Sequence, residues 1–206
     1  VYRSPVKRVL IEGGAATGIE LEDGTQQRAD VVVVNADLPY AYRALLPDAG
    51  PAEKLDRMNY TCSAIMFYWG MDKPFPQLQT HNVFLQGDYK TSFDRIFRER
   101  GLPDQPSFYV HAPARVDPAS TPEGQDTLFV LVPVGHLDSR VPQDLDQMTD
   151  IARASVFDRL RAYGIDDLRQ HIKFEVVYTP HSWERLFNLA KGAAFNQIGG
   201  TVNFKN

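Results

Sequence analysis

The sequence predicts an α+β chain: a mixed β-sheet domain flanked by helices, preceded by a β-meander and one strand of a second, incomplete domain. Three observations carry this expectation. Residues 29–38 read ADVVVVNADL, four consecutive valines running into an Asn-Ala-Asp turn. A β-branched run of that length suits a strand buried on both faces, as in a parallel sheet covered by helices. Residues 60–71 read YTCSAIMFYWGM, a long strand with large side chains on both faces. Between 145 and 163, Leu145, Met148, Ile151, Ala152, Val156 and Leu160 fall on one helical stripe, and Gly164 supplies the stop.

Taken in order, Val6–Glu12 alternates loosely, Gly13-Gly14 turns, Thr17–Glu22 alternates again, and Asp23-Gly24 turns back into the valine run. Pro39–Leu46 and Pro51–Met58 are short helix candidates, each with proline near its start. Tyr60–Met71 places Tyr60, Met66 and Tyr68 on one face and Ile65, Phe67 and Trp69 on the other. Further strands are predicted over Asn82–Gln86, Ser107–His111, Thr127–Val134 and Ile172–Tyr178, with a helix over Ser92–Arg100 and a Pro/Asp/Ser/Gly-rich loop over Ala112–Asp126. Thr179-Pro180 opens a short amphipathic helix, HSWERLFNL. Repeats, low-complexity tracts and linkers are absent from this pattern.

At 206 residues, with 43% hydrophobic and 23% charged residues, the composition is that of an ordinary globular protein. A net charge of −4 gives no global attraction to nucleic acid, so any contact with anionic lipid needs a local patch. Cys62 is the single cysteine; this excludes an intrachain disulfide and a cysteine-rich metal site, and fits a reducing compartment. The longest apolar runs are about strand length, short of the ~20 residues of a spanning helix. Val1 lies within an apparent strand, so the sequence is expected to be a segment of a longer chain.

Little in the sequence supports nucleophilic or metal chemistry. There is no Gly-x-Ser-x-Gly elbow, and Cys62 sits mid-strand as an inert thiol. His81, His111, His136, His171 and His181 are scattered without ligand-type spacing, so no metal is expected. Asp144, Asp146, Asp150, Asp166 and Asp167 fit a solvated helix face and its flanking loops. Ligands of parallel sheets sit beyond the carboxyl ends of the strands, which would put Asn35, Ala36 and Asp37 at a crevice. Asp37 equally fits a simple cap on the helix beginning at Pro39. The aromatics Tyr60, Phe67, Tyr68, Trp69, Phe84, Phe108 and Tyr109 fit core packing. If one sheet face is uncovered, they instead form an apolar wall for an apolar ligand.

VVVVNADLPYAY, HNVFLQGDYKTSFDRIF, LPDQPSFYVHAPARVDPASTPEGQDTLFVLVPVGHL and TPHSWERLFNLAKGAAF resemble the central and later parts of bacterial and fungal-type phytoene desaturases. These are FAD-dependent carotenoid desaturases related to flavin amine oxidases. The resemblance covers about Pro5 to Phe195. It implies a flavoprotein that dehydrogenates phytoene or a related acyclic carotenoid, cytoplasmic and peripherally membrane-bound because its substrate partitions into lipid. It also implies that residues 1–37 belong to a Rossmann-like FAD-binding domain and residues 38–206 to a substrate-binding domain. Val6, Asn35, Ala36, Asp37 and Leu38 would then approach the cofactor, and Tyr60, Phe67, Trp69, Phe84 and Tyr109 the polyene. No catalytic residue follows from the resemblance. Two departures stand out. The family's N-terminal and C-terminal glycine-rich FAD segments are missing, and NQIGGTVNFKN replaces the expected continuation after Phe195. The segment alone is therefore expected to be inactive and to hold FAD weakly or not at all. Alternatives are a carotenoid isomerase, or a non-catalytic module for apolar ligands or dimerisation; exposed strand edges favour homo-oligomers.

Overall fold

The computed structural model describes residues 2–85 and 87–195; the divergent tail after Phe195 lies outside the described residues. Two compact units emerge. One is the chain up to Tyr60 together with Asn188–Ala190, and the other is Thr61–Phe187 with Lys191–Phe195. The division falls at Tyr60, later than the expected boundary at Asp37, because the short helices after Asp37 pack against the meander.

The first unit is built on strands β1 (Val6–Glu12), β2 (Ala15–Leu21) and β3 (Gln26–Arg28), paired antiparallel in that order. Gly13 and Gly14 make the first turn in the left-handed region, φ +60° and +83°. Val9, Leu10 and Leu21 are the buried apolar residues of its strands. Glu20, only 6% exposed, accepts from Lys7 Nζ at 2.8 Å and Arg8 Nη2 at 2.6 Å, and these two cations pull its carboxyl down to about 2. Gly18 (φ +148°) is required where β2 meets β3, since a Cβ there would stand 2.1 Å from the Gln27 carbonyl oxygen.

The valine run corrects the sequence expectation. Ladder pairing stops at Arg28, and residues 29–37 form no strand. Val31 is 75% and Val33 85% exposed. A strand requires neighbours to accept its N–H and C=O groups, and the described residues offer this run no parallel partner. The chain continues into a single helical turn α1 (Leu38–Tyr40), a wide turn over Ala41–Leu45, and helix α2 (Gly50–Asp56). Ala41, Leu45 and Ala52 are their buried anchors.

The second unit is a five-stranded sheet of order β5-β6-β7-β4-β8: β4 (Ser63–Met71), β5 (His81–Phe84), β6 (Phe108–His111), β7 (Asp126–Val134) and β8 (Ile172–Tyr178). All its ladders are antiparallel, where the sequence predicts a mixed sheet. Helix α3 (Tyr89–Phe97) joins β5 to β6, starting three residues earlier than expected because Asp88 caps it by accepting from Lys90 N at 2.9 Å. Helices α4 (Leu145–Ala162) and α5 (Pro180–Phe187) complete the unit.

The core lies between α4 and one face of the sheet. Ile65, Phe67, Trp69 and Met71 of β4 and Leu128, Val130, Val132 and Val134 of β7 are fully buried there, with Ala152, Val156 and Leu160 of the helix. Trp69 stacks on Phe157 of α4 at 5.2 Å and 12°. Its Nε1 donates to Glu175 Oε2 at 2.6 Å, and Glu175 in turn accepts from Arg153 of α4 at 3.0 Å. The helical stripe differs from expectation at one turn. Thr149 is buried, with its hydroxyl donating to the Leu145 carbonyl at 2.7 Å, whereas Ile151 is 43% exposed.

Asp126, 2% exposed, opens β7. Arg115 grips it through both Nη atoms, at 2.8 and 3.1 Å, and also donates to the carbonyls of Phe75 (2.7 Å) and Leu78 (3.0 Å). Both charges are thus hydrogen-bonded, as burial demands. Replacing Arg115 by Met strands the carboxylate. Chemical denaturation should show a loss of about 3–5 kcal/mol, and a loss under 1 kcal/mol would show that water satisfies Asp126 instead.

The folded-state pKa of Glu20 lies below its unfolded value, so its contribution to the first unit is present above the ordinary glutamate pKa near ~4.3. It should fade as pH falls toward 2, and Glu20→Gln should flatten an acid-unfolding profile over that window.

Candidate functional site

Alternation along each strand gives the sheet a second face, opposite α4, and the ladder register defines it. One row of side chains crosses all five strands as His81, His111, Phe129, Tyr68 and Val176; the next row reads Val83, Tyr109, Leu131, Met66 and Tyr178. Each row spans four strand spacings, roughly 19 Å. Neighbouring rings of the first row touch: His81 and His111 at 5.0 Å, His111 and Phe129 at 5.7 Å, Phe129 and Tyr68 at 5.2 Å. Tyr68 also meets Tyr178 at 5.5 Å. Burial pushes the Tyr68 phenol up, which keeps it neutral. No Asp, Glu, Lys or Arg occupies a strand position in these rows.

At the β8 side, Phe174 is 60% exposed and Val176 43%. Gly70 permits this arrangement, because a Cβ on it would stand 2.1 Å from the Phe174 ring. The ring therefore occupies the space a side chain at Gly70 would fill. Helix α5 covers the Ala64–Tyr178 corner: Trp183 packs on Tyr178 at 5.1 Å and donates Nε1–H to the Ala64 carbonyl at 2.7 Å. The result is a long aromatic and aliphatic surface without charge, suited to a ligand recognised by apolar area.

Among the expected substrate residues, only Tyr109 lies on this face. Phe67 and Trp69 are corrected to core positions, both 0% exposed on the opposite side. Phe84 is also on the α4 side, stacked on Phe108 at 4.7 Å. Tyr60 belongs to the first unit and is 6% exposed; burial, with Asp56 and Asp37 adding, pushes its phenol up to about 12. Sequence reasoning passed over Phe129, Leu131, Phe174 and Tyr178. For Phe129 and Leu131 the signal was the apolar character of both alternating sets in β7, and for Phe174 and Tyr178 it was the apolar set that alternates with Lys173 and Glu175 along β8.

In the first unit, Asn35, Ala36 and Leu38 are exposed and Val6 is partly so. These four remain accessible to a cofactor. Asp37 is 4% exposed and does not cap α1 through its side chain; its Oδ2 accepts from Ala190 N at 2.8 Å. That carboxylate ties the returning segment Asn188–Ala190 to the unit and is committed to the chain itself. Cys62 is half-buried, and burial pushes its thiol up, as an unreactive cysteine requires. No group of three or more metal-ligating residues occurs among the described residues.

The family described as flavin containing amine oxidoreductase matches residues 1–202, and the chain belongs to it. It is 46% identical over 201 residues to a phytoene desaturase of Neurospora crassa, covering 91% of this chain and 34% of that protein. It is 43% identical over 218 residues to a phytoene desaturase of Fusarium fujikuroi (96% and 38%). Against a zeta-carotene-forming phytoene desaturase of Myxococcus xanthus, identity is 44% over 198 residues (94% and 37%). The chain thus spans little more than a third of the length of these relatives. Among solved structures, an oxidoreductase from Methanosarcina mazei superposes with a TM-score of 0.42 at 18% identity, over 84% of this chain and 36% of that one.

Asp37→Asn keeps a side-chain oxygen for Ala190 N–H and should leave stability near wild type. Asp37→Leu leaves that N–H unpaired and should lower stability by about 1–3 kcal/mol in urea titrations.

Proposed function

We propose that this chain is the substrate-binding segment of an FAD-dependent desaturase acting on phytoene or a related acyclic carotenoid. The uncharged face of the five-stranded sheet carries the reading, since a long hydrocarbon offers apolar area and nothing to hydrogen-bond. A polyene lying across the strands would pack along the Phe129–Tyr68 and Leu131–Met66 rows. The side chains of these rows would hold the chain extended and keep water from it. The chemistry that bound FAD supplies is acceptance of hydride from an allylic carbon. Val6, Asn35, Ala36 and Leu38 are the residues here that would meet the cofactor. The remainder of its site belongs to the part of the relatives that this chain does not span.

Membrane contact is part of the proposal, because such a substrate resides in lipid. No helix of the described residues is long and apolar enough to cross a membrane. Helix α3 buries none of its residues and displays Tyr89, Phe93 and Phe97 along one side, with successive ring centroids 5.9 and 4.1 Å apart. Tyr89 is 80% exposed, Leu85 just before the helix 72%, and the Lys90 and Arg98 side chains 79% and 76%. Aromatics flanked by basic side chains are the features of a helix lying in a lipid interface.

Titrating the chain with phytoene in mixed micelles should quench tryptophan fluorescence to saturation. Phe129→Lys should weaken that binding about tenfold or more, the worth of a buried aromatic. Unchanged binding in Phe129→Lys rejects this face as the site, and a doubled mass without carotenoid binding supports a dimerisation module instead. In flotation with phosphatidylglycerol vesicles, the double variant Tyr89→Asp/Phe93→Asp should lose most of the bound fraction.

A further inference from the structure

Two of the five histidines scattered along the sequence become neighbours in the fold. His81 and His111 are direct cross-strand partners on β5 and β6, with rings 5.0 Å apart and 10° from parallel. The Tyr109 hydroxyl lies 2.6 Å from His81 Nδ1. These three polar rings stand together toward the β5 edge, where His81 and His111 close the first row and Tyr109 lies beside Val83, the edge residue of the second. They are accessible: His81 is exposed, and Tyr109 and His111 are partly exposed.

We propose that His81, Tyr109 and His111 form a polar subsite that hydrogen-bonds an oxygenated end group, a hydroxyl or carbonyl, on an acyclic polyene lying along the apolar rows. This rests on the reading of the open face as the polyene site. The hydrogen bond between Tyr109 and His81 supports it in either tautomer. If the phenol donates to Nδ1, His81 Nε2 carries a proton outward and the phenol oxygen accepts. If Nδ1 donates, the phenol O–H is outward and Nε2 accepts. Either way the pair presents one donor and one acceptor to a ligand oxygen. The stack on His111, itself edge-on to Phe129 at 5.7 Å, joins the polar end to the hydrocarbon track without a gap. A pure hydrocarbon reaching this end would strip water from the imidazoles and return no hydrogen bond, which is unfavourable. An oxygenated end restores the bond.

The test is a titration of the full chain in detergent micelles with lycopene and with its 1-hydroxy-1,2-dihydro derivative, followed by tryptophan quenching. The hydroxylated polyene should bind about tenfold more tightly than lycopene. The double variant His81→Phe/His111→Phe should abolish that preference while retaining lycopene binding, and Tyr109→Phe should reduce the preference, with thermal melts confirming the fold of each. Equal affinity of the wild type for both polyenes overturns the subsite and leaves the apolar-face reading standing. Loss of lycopene binding in the double variant also overturns it, since the pair would then support the whole wall. If neither polyene binds the wild type, the reading of the face fails and the subsite falls with it.

Discussion

The bidentate pair between Arg115 and Asp126 is the constraint on which the sheet unit depends. Asp126 is the first residue of β7 and pairs with Met71, the last of β4. Fixing it fixes the phase of everything after it, because a one-residue slip in a strand moves every side chain to the opposite face. With Asp126 held by Arg115 and by the Phe75 amide, Leu128, Val130, Val132 and Val134 point to the core, and Thr127, Phe129, Leu131 and Pro133 point away. Both sets are largely apolar, so hydrophobicity alone specifies the register weakly. A buried ion pair adds little net stability over an apolar substitute. Here its consequence is geometric: it decides which of two interchangeable faces is sealed.

The sealed face has its own polar marker. Glu175 sits on the α4 side of the β8 edge strand and binds both Trp69 Nε1 and Arg153, while Arg153 also lies 5.2 Å from the Phe67 ring centroid. These contacts admit α4 to one side only. The opposite face has no charged strand residue to receive a helix, and α5 reaches only its corner. One face is therefore core by specific polar locks, and the other is left apolar and accessible.

Local patterning made much of the architecture legible. The bounds of β1 and β8 follow from alternation, and α4 from its stripe and the Gly164 stop. The rest depended on information that is not local. The four valines have strand propensity, but propensity needs partners, and none stands beside them among the described residues. Phe67 and Trp69 were indistinguishable from Tyr68 and Phe129 by period, since each strand is apolar on both sides; only the placement of α4 separates core from wall. Thr149 replaces Ile151 in the core because its hydroxyl finds the Leu145 carbonyl, a bond that hydropathy does not register. Arg115 lay in a stretch read as loop, and the pairing of His81 with His111 required a register across twenty-nine residues of intervening chain.

The same register also determines which way a long ligand lies. Along a strand, same-face residues are about 6.6 Å apart, whereas neighbouring strands are about 4.8 Å apart. Side chains therefore crowd into continuous ridges across the strands and leave furrows between them. The ring contacts from His81 through His111 and Phe129 to Tyr68 make one such ridge. On the other side of that ridge from the second row, Gly70 has no side chain and the Phe174 ring lies over it. An extended hydrocarbon gains most contact by lying in a furrow, perpendicular to the strands, with its ends at the two edges of the sheet. The β8 edge carries Phe174, Val176 and Tyr178, and the β5 edge carries His81 and Val83, with His111 and Tyr109 one strand in. Imidazoles stand only toward the β5 edge, so the two ends of the face differ in chemistry.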